Sequence, residues 1–234
     1  MGYARTIEGQ EHTFGVSGKL IMNALVMYDH QSGTLWSQFL SQGVKGELAG
    51  RRLETIPLVQ TTFGQWVLEH PDTAILDKGR SGSSDRYGGY YTNNDAGVIG
   101  ESNGDDRLDR KDKVVGIGFD EGPKAFPLSA LGDRPVVNDH VAGEDVVLFF
   151  QPNTETALVF NRKLNGERLE FEQVVDDGTA LLRDRKTGSL FLPFTGMGIE
   201  GEYVGQQLER IHSVVSFWFA WSDFYPETEL YTRT

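Results

Sequence analysis

The sequence predicts a mainly β protein with a minor helical part (α+β minor). It is expected to consist of internally duplicated antiparallel β-units, each with a short helix, around a shared core. Three observations carry this expectation. The chain aligns on itself after a shift of 155 residues. Glycine (28 residues) and aromatics (11%) are both plentiful, a pairing that suits strands joined by tight turns. Two apolar runs, Val146 to Phe150 and Ala157 to Phe160, have the length of buried strands.

The repeat joins residues 27–76 to residues 182–231, with 15 identities in 50 ungapped positions. Average composition would give about three. Asp29-His30-Gln31-Ser32-Gly33 and Asp184-Arg185-Lys186-Thr187-Gly188 read as hairpin turns, with glycine where φ is positive. Gly43, Gly46 and Gly50 fall on Gly198, Gly201 and Gly205 and punctuate a second, looser hairpin. A strand over Leu53 to Gln60 follows, then a helix near Phe63 to Glu69. There Phe63, Trp66 and Val67 form one apolar stripe at i, i+3 and i+4. Trp218 and Trp221 hold the matching places, and Pro71 and Pro226 stop the two helices.

Upstream, Glu8-Gly9-Gln10 matches Asn165-Gly166-Glu167 after a further two-residue shift. The second copy has two buried strands ahead of that turn, whereas the first has only Met1 to Thr6. The chain is therefore expected to begin partway into its first copy, with a leader missing and an extracytoplasmic location. The organisation expected is repeat unit one at 1–76, incomplete at its N-terminus; a loop insert at 77–112, rich in glycine and tyrosine and then in charge; a connecting β-meander at 113–145; and repeat unit two at 146–234. In the meander, Lys113 to Phe119 reads as a strand, Asp120 to Pro123 as a turn and Ala125 to Leu128 as extended chain. Val141-Ala142-Gly143 closes a turn into the strand at Val146.

The net charge of −12 disfavours binding to phosphate backbones, so no nucleic-acid partner is expected. The longest apolar run, Val214 to Trp221, is far short of the ~20 residues of a membrane helix, so no membrane span is expected. The absence of cysteine excludes disulfides, thiolate metal sites and a cysteine nucleophile within this chain. A small molecule or a protein remains as the partner class, and the sequence points to no cofactor.

Five stretches resemble the bacterial and archaeal family DUF3179: Thr13 to Leu20, Leu25 to Asp29, Leu35 to Phe39, Val136 to Asp139, and Phe217 to Trp221. They span nearly the whole chain. The resemblance implies a cysteine-containing strand ahead of the first stretch in many members. That strand is absent here, and any chemistry resting on it would be absent too. The family's name implies no function.

Known reaction motifs fail on spacing. Gly15 to Leu20 lacks the four-residue gap and the Ser or Thr of a phosphate loop, and Gly116, Gly118 and Gly122 miss the dinucleotide spacing. The acidic run 105–109 lacks the glycine and terminal glutamate of a calcium loop. The five histidines show no metal-ligand spacing, and no metal site is expected.

Candidates remain where residue chemistry departs from its surroundings. Asp139 and His140 stand in an apolar stretch. They read either as an acid/base or metal-binding centre anchored by Asn138, or as part of an Asx-type turn in which Asn138 and Asp139 cap their own backbone. Trp36 and Gln38 replace Phe191 and Pro193 of the second copy. They either line a pocket or, for Trp36, belong to the core. Arg86, Tyr87 and Tyr90 sit mid-loop, as recognition residues or as local packing. Asp29 and Asp184 recur before a turn glycine, as a carboxylate pair or as turn caps. The function expected is a non-catalytic ligand- or partner-binding module, with the 77–112 loop over a pocket near Trp36. The alternative is an enzyme, hydrolytic or metal-assisted, centred on Asp139 and His140.

Overall fold

The computed structural model describes residues 1–77, 88–119 and 121–232. The protein is mainly β: the described residues are 40% strand and 12% helix, with several antiparallel sheets and four short α-helices among them. Strand β1 (Gly2–Tyr3) comes first. Hairpin strands β2 (Thr6–Ile7) and β3 (Gln10–Glu11) follow, then a four-stranded antiparallel sheet of β4 (Phe14–Ile21), β5 (Ala24–Asp29), β6 (Leu35–Ser37) and β7 (Gln42–Lys45). The sheet is joined at residues 29–34, where Asp29 accepts the Ser32 N–H (2.5 Å) and hydroxyl (2.7 Å). The strand expected over Leu53 to Gln60 shrinks to β8 (Thr55–Ile56), paired with β1. Pro57 has no N–H to continue a ladder. Helix α1 (Phe63–Glu69) forms where its apolar spacing placed it, capped by Thr62, which accepts the Gln65 N–H.

Helix α2 (Gly88–Thr92) lies in the insert. Next come β9 (Lys113–Ile117), β10 (Lys124–Pro127), the short helix α3 (Leu128–Leu131) and β11 (Val136–Val141). Strand β12 (Glu144–Gln151) then pairs with β11 on one side and with β13 (Thr156–Asn161) on the other, in one sheet. The central stretches of β12 and β13, Val146 to Phe150 and Ala157 to Phe160, are apolar on every residue because both faces are covered. Val146, Leu148, Phe150 and Val159 pack with β9, β10 and α3, while Val147, Phe149, Leu158 and Phe160 pack with Leu182 and Phe191. Hairpin β14 (Lys163–Leu164) and β15 (Glu167–Arg168) leads into a second four-stranded sheet. Its strands are β16 (Phe171–Asp176), β17 (Thr179–Asp184), β18 (Leu190–Phe191) and β19 (Gly198–Glu200), in the same order as β4 to β7. The chain ends with β20 (Val214–Phe217), α4 (Trp218–Phe224) and β21 (Glu229–Leu230). Strands β20 and β21 flank β9 and β10, and β21 runs parallel to β10. The 113–145 stretch thus lies between strands of the second unit, since β9 and β10 take partners from the C-terminal segment and β11 pairs with β12.

Positions 155 apart share local geometry. Asp184 accepts the Thr187 N–H and hydroxyl as Asp29 accepts those of Ser32. A Cβ on Gly43 would stand 2.4 Å from the Leu48 carbonyl oxygen, and one on Gly198 would stand 2.1 Å from that of Tyr203. The Trp66 indole donates to Thr73 and the Trp221 indole to Thr228, both at 2.8 Å. Contacts between the units are reciprocal. Trp66 meets Phe194 edge-on (6.5 Å, 64°), and Trp221 meets Phe39 edge-on (6.3 Å, 63°). Each helix therefore packs on the other unit's phenylalanine, the pattern a twofold operation generates.

The helices differ in cover. Every residue of α1 stays at least partly exposed, whereas Trp218 and Trp221 of α4 are wholly buried. Part of the difference comes from Phe39, Phe119 and Tyr225 around Trp221, and part from residues 88–112. Asp223 accepts the Ser102 and Asn103 N–H groups, the Asp105 carbonyl accepts the Trp218 indole, and Tyr90 packs on Phe217.

Candidate functional site

The structure disperses most of the sequence candidates. Trp36 is wholly buried with Ile7 and Leu53, its indole donating to Asp29 at 2.9 Å, so it offers no face to a ligand. The described part of the 77–112 loop lies along β20 and α4 and reaches the β4–β5 turn, where Asn23 accepts the Val98 and Ile99 N–H groups. That placement follows from the acceptor Asp223 and the aromatic face of β20. Gln38 is half-buried, and its carbonyl accepts the Tyr3 hydroxyl. Asn138 clamps β11 to β16, donating to the Phe171 carbonyl (2.7 Å) and accepting the Phe171 N–H (2.8 Å). Asp139 and His140 are neither a turn nor a joint centre. They lie within β11, whose six residues all register with β12, and the turn is made by Ala142 and Gly143. Alternation sends the two side chains to opposite faces. Asp139 pairs with Lys124 (2.9 Å) and His140 with Asp145 (3.1 Å). Tyr90 packs between Phe217 and the Lys111 ammonium, which sits 3.3 Å from its ring centre. Arg86 and Tyr87 lie outside the described residues.

Asn138 and Asp139 do meet at a cavity of about 390 Å³, shared with Lys124, Glu229 and Tyr231. Burial alone would lower the Lys124 pKa, but Asp139 and Glu229, each 2.9 Å from its ammonium, hold it above the usual value. The charges there are already mutually satisfied. No group of three or more potential metal ligands gathers among the described residues.

The larger cavity, about 690 Å³, lies between the units. Unit one contributes Phe39, Arg52, Leu53 and Glu54. The connecting stretch adds Phe119 and Glu121, and the C-terminal segment adds His212 and Tyr225. Its wall is aromatic. Phe119 stands 4.7 Å from the His212 ring and 5.8 Å from Tyr225, and Phe39 stands 6.2 Å from Tyr225. The Tyr225 hydroxyl points at the Phe39 carbonyl at 3.5 Å, tying the two units at the cleft. Both ring nitrogens of His212 are shielded from solvent and find no hydrogen-bond partner among the described residues. Burial pushes its pKa down, so the imidazole is neutral at pH 7, with one donor and one acceptor to offer. Sequence reasoning passed over His212 because it has no ligand spacing. The available signal was copy asymmetry, since His212 stands where unit one has Pro57.

Fold and cleft define a mainly β protein with a groove of about 690 Å³, walled in part by aromatic rings, between residues 39–55 and the connecting and C-terminal stretches. The chain matches the model of the family DUF3179, described as a protein of unknown function, over residues 1–228, and it belongs to that family. Comparison with curated proteins and with solved structures finds no match. Among the described residues no helix is long and apolar enough to cross a membrane.

Proposed function

We propose that this chain is a non-catalytic binding module, in which two copies of one ancestral β-unit enclose a ligand cleft. The common ancestry is supported by the reciprocal Trp66–Phe194 and Trp221–Phe39 contacts and by the matched turns. The ligand class follows from the cleft. Ring walls from Phe39, Phe119 and Tyr225 favour a planar apolar body. Among the described residues that line the cleft, His212 alone has buried polar atoms without a protein partner, which favours a ligand with a hydroxyl or comparable group at its edge. The single observation that carries the reading is this unpaired histidine within an aromatic wall.

The test uses p-cresol, a ring bearing one hydroxyl, titrated against the protein with tryptophan fluorescence and thermal melting as readouts. Trp221 reports on the cleft because its ring lies 5.5 Å from Phe119. The expected result is a saturable response that weakens about tenfold in His212→Leu, the value of one neutral hydrogen bond. A response that does not saturate, or an unchanged affinity in the variant, defeats the proposal.

A further inference from the structure

A second cluster lies where β14 and β15 meet the β11–β12 turn, on residues that do not line the cleft. Asp145 is buried at this point, with four cationic or cationisable groups converging on its carboxylate. His140 Nδ1 stands at 3.1 Å, Lys163 Nζ at 3.3 Å, Arg162 at 3.8 Å and Arg168 at 3.9 Å. The neighbouring acids are engaged elsewhere, Glu144 with Asn161 (3.0 Å) and Glu167 with Lys186 (2.8 Å). Three permanent positive charges therefore face one negative charge, in a chain whose net charge is −12.

The matching hairpin of unit one shows that the scaffold does not require this surplus. At a shift of 157 residues, Arg162, Lys163 and Arg168 fall on Arg5, Thr6 and Glu11. There Arg5 and Glu11 form a balanced pair at 3.1 Å. In unit two the acid is replaced by Arg168, which stands directly across the strand pair from Lys163. Like charges in that register destabilise a hairpin, and a local rule broken without a structural gain marks a functional position. Access is unequal in a useful way. The side chains of Lys163, Arg168 and His140 are 51%, 65% and 61% exposed, while that of Arg162 is 11% exposed and its Nε has no partner among the described residues. Asp145 acts as a buried template that gathers donors whose outer faces still meet solvent.

We infer that this cluster binds a phosphate-type dianion, held by Lys163, Arg168 and His140 over the Asp145–Arg162 pair. Two surplus charges match a dianion, and guanidinium and ammonium groups suit its oxygens. The ligand is either free phosphate or a phosphate monoester.

The test is a two-dimensional amide NMR titration at constant ionic strength, with inorganic phosphate in one arm, phenyl phosphate in a second and chloride as the reference. Saturable shifts at residues 140, 145, 163 and 168 are expected in at least one phosphate arm, and the tighter arm names the source. The double variant Lys163→Gln with Arg168→Gln should lower affinity at least tenfold, while Glu11→Gln in unit one leaves it unchanged. Shifts that merely follow the chloride reference overturn the inference, as does a double variant that binds as tightly as the parent.

Discussion

Asp29 and Asp184 are both wholly out of water, and the structure gives them a turn-holding task. Burial alone would raise the Asp29 carboxyl pKa. The Ser32 N–H, the Trp36 indole, the Ser32 hydroxyl and His12 hold it far below the usual carboxylate range. Burial likewise opposes, and the Glu170 N–H with the Thr187 hydroxyl and N–H overcomes, for Asp184. A depressed folded pKa contributes stability that is complete above the unfolded value, about 4, and is lost as pH falls below it. Asp29→Asn should cost about 2–3 kcal/mol at pH 7, by exchanging a charged acceptor for an amide in a buried network. It should also flatten the loss of stability below pH 4, which urea melts from pH 2.5 to 7 would read. An unchanged acid limb would show that other carboxylates govern it. The recurrence of these aspartates was legible in the sequence, and so was their turn-capping role, because a side chain three residues before a polar N–H is local chemistry. The burial of Trp36 in the core was one of two readings left open, and its indole bond to Asp29 settles it.

Among the elements, those with local causes were legible. The hairpin turns, the doubly buried pair β12 and β13, and α1 all formed where spacing placed them. Elements set by distant partners were not. Pro57 cut short the strand after Leu53, β21 found a parallel partner in β10, and β11 became a strand because β12 faces all six of its residues. The His212 cleft is likewise assembled from three distant stretches, so no spacing could announce it. Helix α4 shows what such partners do. Its cover hangs on Asp223, whose carboxylate takes the Ser102 N–H at 2.8 Å and the Asn103 N–H at 2.5 Å. Asp223→Ala should leave both amides without a charged acceptor. Hydrogen exchange is then expected to accelerate at residues 102 and 103 and over α4, with α1 unaffected. Equal protection before and after the change would mean that ring packing, not the carboxylate, holds the segment. A glycine sets the other face of α4. A Cβ on Gly116 would lie 2.0 Å from the Trp221 ring, so Gly116→Ala should cost about 1–3 kcal/mol by overpacking. Trp221→Phe in the same chain should recover part of it, as read from paired denaturant melts.

At the scale of the whole molecule, the N-terminal and C-terminal parts are expected to depend on each other, because α1 meets Phe194 and α4 meets Phe39. Phe39 stacks on Phe224 at 4.6 Å besides meeting Trp221 and Tyr225, all within a buried cluster. Among the described residues, the rings that Phe194 meets are the partly buried Trp66 and the exposed His70. Truncation should therefore be asymmetric. Phe39→Ala is expected to cost about 3–5 kcal/mol, the usual range for a buried aromatic, and Phe194→Ala visibly less. Both changes should shift one shared transition rather than split it, because Phe39 of unit one is enclosed by α4 of unit two. Equilibrium unfolding followed in parallel by tryptophan fluorescence and by far-ultraviolet circular dichroism distinguishes the cases. Coincident curves in the parent and in both variants are expected. If Phe39→Ala instead separated the two probes, the units would be independently stable, and the interlocked helices would be a contact between finished modules rather than part of one core.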